Sequence, residues 1–503
     1  MGSLEFLVEH RSQGADRGPS LRVRDVRAGG RERLRFDCFA RSPHFHVDPE
    51  GHDEITDLDP LADNVAWCVG ELRRDLPRYL EKAGLQTSEL GDWSDAELDA
   101  QLAAAEGAMR NPPARLDELD LEGLRARISE KWGTYPKDVL AAWVAEMDFP
   151  LAEPIRRVLE VATHRSDVGY PIELERTGLR EAFAERMQEH FAWSIDPRRC
   201  EILTDVVQGL YAALAAWSEV GEGAVVQTPI YPPFLRAVAE MRRRLVENRL
   251  VQSPSGFEID IDALRASVDG TTRLLLLCNP HNPTGRVFSR SELEALAEVA
   301  LERDLVVVSD EIHADLIYAG GRHIPFATLG PELEARTVTL NSATKAFNIP
   351  GLRCALAHFG SARLQEQFQD RSPRHLRGGI GLLGIYATIA AWRHSQPWLD
   401  EVLRYLDANR SFLERFIAEH FPGVVYHEPE ATYLGWLDCR GLELPETPGR
   451  FFLKSARVAI SDGHHFGEGF EGFGRINFAT SRAILTQVLE RMADALPNST
   501  RNG

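Results

Sequence analysis

Leu274-Leu275-Leu276-Leu277-Cys278-Asn279-Pro280-His281-Asn282-Pro283-Thr284-Gly285 reads as a buried strand that runs into a turn rich in proline and glycine. In open α/β sheets, ligands lie beyond the carboxyl ends of the strands. Asn282 is therefore placed to hydrogen-bond an oxygen of a bound group. A second apolar run, Leu305-Val306-Val307-Val308-Ser309, ends at Asp310-Glu311-Ile312-His313. A carboxylate at such a strand end suits a pyridine nitrogen, which it keeps protonated so that the ring becomes an electron sink. A third segment reads Ser342-Ala343-Thr344-Lys345, with Arg353 following Pro350-Gly351-Leu352. A lysine with two hydroxyls and a downstream arginine suits a phosphorylated aldehyde: the amine forms a Schiff base, and the hydroxyls and guanidinium take the phosphate. Ser-x-x-Lys alone also occurs in serine acyl enzymes; the three segments together are what is specific.

In this order the segments resemble the fold-type I pyridoxal-phosphate (PLP) enzymes of the aminotransferase class I/II superfamily, over roughly residues 120 to 497. The resemblance implies that Lys345 is the Schiff-base lysine, that Asp310 faces the pyridine nitrogen and that Asn282 contacts the phenolic oxygen. Within the superfamily, several segments are similar to the cystathionine β-lyase and cysteine-S-conjugate C–S lyase branch. They are Trp143-Val144-Ala145-Glu146-Met147-Asp148-Phe149, Thr228-Pro229-Ile230-Tyr231-Pro232-Pro233-Phe234, Ala431-Thr432-Tyr433-Leu434-Gly435-Trp436-Leu437-Asp438 and Arg475-Ile476-Asn477-Phe478-Ala479. His313 fits that branch, since ordinary aminotransferases of this fold usually have tyrosine there. The resemblance further implies that Tyr231 stacks on the cofactor ring and that Arg475 binds the substrate α-carboxylate. Tyr170, in Val168-Gly169-Tyr170-Pro171, would reach the phosphate of a partner subunit, which implies a homodimer.

The turn Thr204-Asp205-Val206-Val207-Gln208-Gly209 departs from the family pattern, with Asp205 where glycine usually stands. A carboxylate near a phosphate is unfavourable unless it points away. The backbone amides of Val206 and Val207 can still serve, because a helix N-terminus favours anions whatever its side chains. The expected reaction is β-elimination from a cysteine-derived amino acid, giving a thiol, pyruvate and ammonia. Lys345 serves as the base, its pKa lowered by burial and a cationic neighbour. The alternatives are aminotransfer with the same residues, or a specialised reaction of secondary metabolism such as decarboxylation-coupled deamination of an S-conjugate. A non-catalytic regulator would need a DNA-binding module, and residues 1 to 112 hold Arg clusters but no clear helix-turn-helix followed by a long linker.

The chain has 503 residues, which at about 100–200 residues per domain suggests two to four domains. A hydrophobic fraction of 44% fits a sizeable core, and a net charge of −19 argues against non-specific nucleic-acid binding. The six cysteines (Cys38, Cys68, Cys200, Cys278, Cys354 and Cys439) form no Cys-x-x-Cys pair, which suits a reducing cytoplasm. Residues 1–20 carry charges throughout, so no signal peptide is expected, and no apolar run approaches the ~20 residues of a membrane helix.

The expected architecture is an α/β fold: a mostly parallel sheet flanked by helices, a smaller C-terminal α+β domain and an added N-terminal α+β domain. Residues 1–112 form the accessory domain, 120–395 the PLP-binding domain with its N-terminal arm, and 396–497 the small domain. Asn111-Pro112-Pro113 reads as a linker, Leu21–Val26 and Leu34–Phe39 as alternating strands, and Val65–Ala83 as an amphipathic helix that Pro77 interrupts. His44, His46, Asp48, His52, Asp53, Asp57 and Asp59 read as a polar loop of caps and turns rather than a metal site. Gly467-Glu468-Gly469-Phe470-Glu471-Gly472 matches a dinucleotide fingerprint, but no βαβ unit can follow it, so it reads as a turn leading into Arg475. The basic stretch Arg371–Gly379 reads either as a substrate entrance or as a solvated loop, and His464-His465 as a loop pair.

Overall fold

The computed structural model describes residues 4–496 apart from 14–15, 40, 60, 62, 87–93, 111–114, 255 and 374–377. The linker Asn111–Pro113 and residues 374–377 of the basic stretch lie outside the described residues. The chain divides into two compact units, Met1–Pro113 and Ala114–Gly503.

The first unit is an antiparallel meander of β1 (Leu4–Gln13), β2 (Asp16–Asp25), β3 (Arg31–Asp37), β4 (His44–Val47) and β5 (Glu54–Asp57), in that order. Alternation sends Leu21, Val23, Leu34, Phe36, Phe45 and Val47 to one buried face, which packs with the helix Asn64–Lys82 in a single core. That helix leaves helical geometry at Asp75, two residues before Pro77. The proline ring disfavours the α conformation in the turn before it. His44 and His46 belong to β4 rather than to a loop of caps and turns. The correction has a plain cause: Phe45 and Val47 alternate with the two histidines and fill the core, so the segment has a strand's period.

In the second unit β6 (Leu140–Ala141) pairs with a later short strand. The main sheet takes β7 (Cys200–Leu203), β8 (Gly223–Thr228) and β9 (Arg244–Arg249). A side hairpin, β10 (Val251–Ser253) and β11 (Gly256–Glu258), follows. The sheet then takes β12 (Thr272–Cys278), β13 (Val306–Asp310), β14 (Thr337–Asn341) and β15 (Ala355–Phe359). The seven strands lie in the order β7-β15-β14-β13-β12-β8-β9, parallel except for β15. This is the mostly parallel α/β sheet expected from the alternating apolar runs. β12, β13 and β14 are adjacent, with Cys278 opposite Asp310 and Asp310 opposite Leu340. Their carboxyl ends are level, and the three segments singled out from the sequence leave the sheet side by side. A smaller sheet holds β16 (Val425–Tyr426), β17 (Leu434–Asp438), β19 (Ser461–Asp462) and β20 (Phe473–Asn477), while β18 (Val458–Ala459) pairs with β6.

Helix Val206–Trp217 packs so close to the sheet that a Cβ at Gly209 would come within 2.9 Å of Leu340 Cδ2. The glycine lets the helix N-terminus sit at the sheet's carboxyl edge. Between β6 and the helix Glu153–His164, the segment Trp143–Phe149 has no ladder partner, yet every one of its carbonyls accepts from a side chain. Trp143 O takes Arg475 Nη2 (2.9 Å) and Ser461 Oγ (3.1 Å), and Val144 O takes Asn477 Nδ2 (2.6 Å). Ala145 O takes Lys345 Nζ (2.9 Å) and Tyr433 Oη (3.0 Å), and Glu146 O takes Lys131 Nζ (3.1 Å) and Asn477 Nδ2 (2.7 Å). Asn348 Nδ2 donates to Met147 O and Phe149 O, and Arg127 Nη2 to Asp148 O. Buried backbone polar groups must find partners, and side chains from four distant parts of the chain supply them here.

The strap is anchored by a buried ion pair, Lys131 Nζ to Asp148 Oδ2 at 2.9 Å, with Trp132 Nε1 donating to Asp148 Oδ1 at 2.6 Å. Both charged residues are at most 1% exposed. Removing one partner leaves a buried charge uncompensated, which costs about 3–5 kcal/mol. Asp148→Ala is expected to lose stability of that order in urea unfolding; a change within about 0.5 kcal/mol would show that the pair anchors nothing.

Candidate active site

One cavity of about 950 Å³ opens at the carboxyl edge of the parallel sheet. Lys345, Asp310, Asn282, His313 and Tyr231 line it, as do Val206, Val207, Ser342, Thr344, Arg353 and Arg475. Eleven of the twelve residues chosen from the sequence thus meet in one place. Tyr170 does not: its side chain is fully exposed, away from this cavity.

Lys345 follows β14 and is half-buried. Burial first, and then the Arg475 charge, lower its pKa to about 8. Asp310 ends β13; burial pushes its carboxyl up to about 7, with the adjacent Glu311 adding to the effect. A cationic ring nitrogen opposite it would supply the countercharge that the buried carboxylate lacks. His313 is held down to about 3 by burial and by the Lys345 and Arg475 charges, so it is a neutral imidazole, and its Nδ1 is buried without a hydrogen-bond partner among the described residues. Burial raises the Tyr231 phenol, leaving it a neutral donor and a ring surface at the head of the helix Pro232–Glu240.

Arg475 on β20 is a buried charge held by neutral groups. Its guanidinium donates to Asn282 Oδ1 (2.9 Å), Trp143 O (2.9 Å) and Ser461 Oγ (3.3 Å), all neutral, and lies 5.0 Å from the Phe466 ring centroid. It has no carboxylate partner among the described residues, and burial lowers its pKa to about 10. A buried guanidinium held only by neutral acceptors favours an incoming anion.

The phosphate end of the cavity is arranged differently from the sequence expectation. Asp205 caps the helix Val206–Trp217, its Oδ1 accepting from Gln208 N at 2.8 Å, and its other oxygen pairs with Arg353. Arg353, assigned to phosphate from the sequence, is therefore bonded to Asp205 here. Asp205 does not point away; its charge is neutralised by the arginine instead. Ser342 Oγ donates to Cys354 O (2.6 Å) and accepts from Thr344 N (3.1 Å), which orients the turn that carries Lys345. Sequence reasoning missed the strap's side-chain donors Asn348, Asn477 and Ser461, which carry no chemistry-bearing pattern. It also missed Arg236 and Arg450 at the cavity wall. His465, read as half of a loop pair, lines the cavity too. Gly467 and Gly469 take positive φ in the turn that leads to β20, as read from the sequence.

A buried amine, a carboxylate at a neighbouring strand end and the N-terminus of a helix surround one cavity. This donor set fits a phosphorylated pyridine aldehyde, and the class so defined is the PLP-dependent enzyme of fold type I. Residues 146–492 match the family model for aminotransferase class I and II. A putative cystathionine beta-lyase of Mycobacterium leprae is 39% identical over 409 residues, covering 76% of this chain and 98% of the relative. Among solved structures, OvoB is 38% identical with a TM-score of 0.72, covering 77% of this chain and 99% of that one. The PLP-bound C–S lyase from Staphylococcus hominis is 30% identical with a TM-score of 0.71, covering 76% and 98%. The chain belongs to the aminotransferase class I and II family, and its cofactor is PLP. Residues 1–106 match a separate model, a domain of unknown function, DUF7700.

The lowered lysine has a measurable consequence. Only the neutral amine attacks an aldehyde, and its fraction rises with pH until the pKa is passed. Cofactor capture by the cofactor-free protein, followed by absorbance, is expected to quicken about tenfold per pH unit and level off just above pH 8. A rise continuing to about pH 10, the range of an ordinary lysine, would contradict the burial argument.

Proposed function

We propose that this chain, a PLP-dependent carbon–sulfur lyase, cleaves the Cβ–S bond of a cysteine S-conjugate or cystathionine-like amino acid. One water is consumed, and a thiol, pyruvate and ammonia are released. The observation that carries the substrate class is Arg475, a buried guanidinium with neutral partners and, among the described residues, no carboxylate, next to a lysine whose pKa is lowered to about 8, close to physiological pH. Arg475 takes the α-carboxylate and fixes Cα beside Lys345. Lys345 then removes the Cα proton, for which a pKa near the working pH is the effective choice. When bound, PLP withdraws electrons from Cα, so that a thiolate can leave from Cβ.

The remaining residues position the group. Asp310 holds its ring nitrogen in the charged state. Tyr231 would offer its ring surface to the group, and neutral His313 would line the cavity with Asp310 without adding charge. Asn282 presents its Oδ1 to Arg475, which leaves its amide NH₂ for the phenolic oxygen. The amides of Val206 and Val207 would receive the phosphate, with Arg353 shared between it and Asp205; Ser342, whose proton goes to Cys354 O, would support the turn, and Thr344 would have to turn from Ser342 to reach the phosphate.

A homodimer completes the site. Tyr170 is exposed on a loop in the single chain, which suits a side chain delivered to the phosphate of a second copy. Six free, buried cysteines suit a reducing cytoplasm; among the described residues, no helix is long and apolar enough to cross a membrane.

Purified holoenzyme mixed with L-cystathionine or S-alkyl cysteines is expected to release pyruvate and thiol in equal amounts. Arg475→Gln should raise KM by about 10–100-fold, the loss of a charge-assisted contact worth about 1.5–3 kcal/mol. Conversion of the cofactor to its amine form without pyruvate would make the protein an aminotransferase and overturn the reading.

A further inference from the structure

The N-terminal unit carries a second site, on the sheet face opposite its core. Asp37 on β3 lies directly across from His44 on β4, and Arg35 across from His46. Although this is the polar face of the meander, Asp37 is 2% and His46 5% exposed. They line a cavity of about 290 Å³ that Arg11, Phe39 and Ile55 close.

Hydrogen bonding fixes which ring nitrogen carries the proton in each histidine. His46 Nδ1 lies 2.6 Å from Asp53 Oδ1, and its Nε2 lies 2.8 Å from Arg35 Nη2. A guanidinium has donors only, so Nε2 is the acceptor and Nδ1–H points to Asp53. His44 Nδ1 lies 2.9 Å from Ser42 O. A carbonyl only accepts, so that nitrogen donates, and in the neutral ring Nε2 carries the lone pair. That Nε2 lies 3.2 Å from Asp37 Oδ2, and His46 Nε2 lies 3.6 Å from the same oxygen. Asp37 Oδ1 is buried with no hydrogen bond, the Arg11 guanidinium being 3.6 Å away. Three lone-pair donors thus converge, all within 4.8 Å of one another. Arg35 supplies part of the positive charge that such an arrangement needs, donating to His46 Nε2 and, from Nε, to Asp37 Oδ2 at 3.2 Å, while Asp37 Oδ1 is left without it.

We propose that His44 Nε2, His46 Nε2 and the Asp37 carboxylate bind a divalent first-row transition-metal ion, Zn²⁺ or Fe²⁺. Two ligand atoms at about 2.1 Å from an ion in tetrahedral geometry are about 3.4 Å apart, close to both histidine–carboxylate separations. Two imidazoles and one carboxylate are the donor set that such borderline ions take, with a coordination position left open. The histidines are already oriented by outer partners, Asp53 carboxylate for one and Ser42 carbonyl for the other, as metal-binding imidazoles are. Arg35 holds the place of the cation at His46; on binding, the ion replaces it there while Arg35 keeps its contact with Glu32 Oε1 (3.3 Å). The open position faces the cavity and Arg11, which favours a small anionic ligand.

The test uses the full-length holoenzyme, stripped with chelator, loaded with Co²⁺ or Zn²⁺ and desalted. Retention of about one equivalent per chain is expected, with visible d–d absorption for Co²⁺. The His44→Gln/His46→Gln double variant should lose that equivalent, and Lys345→Ala should keep it. Asp53→Asn, which takes the charge from an outer partner at an exposed residue, should weaken binding about 10–100-fold without abolishing it. Thermal melting and cofactor absorbance report whether each variant is folded. No metal retained by the wild-type chain overturns the proposal, as does full retention by the folded double variant. If the double variant does not fold, unchanged affinity in Asp53→Asn overturns it.

Discussion

The amine of Lys345 is buried against a backbone carbonyl, Ala145 O at 2.9 Å, and not against a carboxylate. A lysine bonded to a carboxylate would be held protonated; here burial first, and then the Arg475 charge, push the amine toward neutrality with no carboxylate bonded to it to oppose them. The strap Trp143–Phe149 supplies that carbonyl. It can line the cavity without a ladder partner only because Arg475, Ser461, Asn477, Tyr433, Lys131, Asn348 and Arg127 satisfy its carbonyls one by one. The same guanidinium that is left to meet an anion also holds one end of the strap. The guanidinium of Arg475 and the amine of Lys345 are thus linked through one short segment.

Much of the sheet was legible because its signal is local. The apolar runs before Asn279 and Asp310 have the length and the flanking turns of buried strands, and parallel strands place their carboxyl ends on one edge. Once β12, β13 and β14 are neighbours, Asn282, Asp310 and Lys345 have to meet. Arg475 and Tyr231 were reached only through resemblance, since nothing in their spacing ties them to the cavity. The strap's donors were not legible at all. Asparagine and serine bonded to a carbonyl more than 300 residues away in the chain, as Asn477 and Ser461 are, leave no periodicity to read.

Two readings turn on partners that only the tertiary structure supplies. In the sequence Arg353 is a phosphate ligand and Asp205 a charge that must turn away, and the structure joins the two across 148 positions. His44 and His46 were read as loop residues because the eye follows the charged string from Asp48 to Asp59. The alternating Phe45 and Val47 carry the stronger signal, since burying them on the core face sends both imidazoles to the other side. A side chain's partner is a tertiary fact, and charge arguments made from sequence depend on it.

The central claim is that Lys345 is the residue that carries the cofactor, and the composition makes it easy to test. The chain has only five lysines: Lys82, Lys131, Lys137, Lys345 and Lys454. Holoenzyme reduced with borohydride, digested and mapped by mass spectrometry should carry the cofactor's mass on the peptide containing Lys345 and on no other. Label on any of the other four, or none in protein that retains the cofactor, would contradict the account.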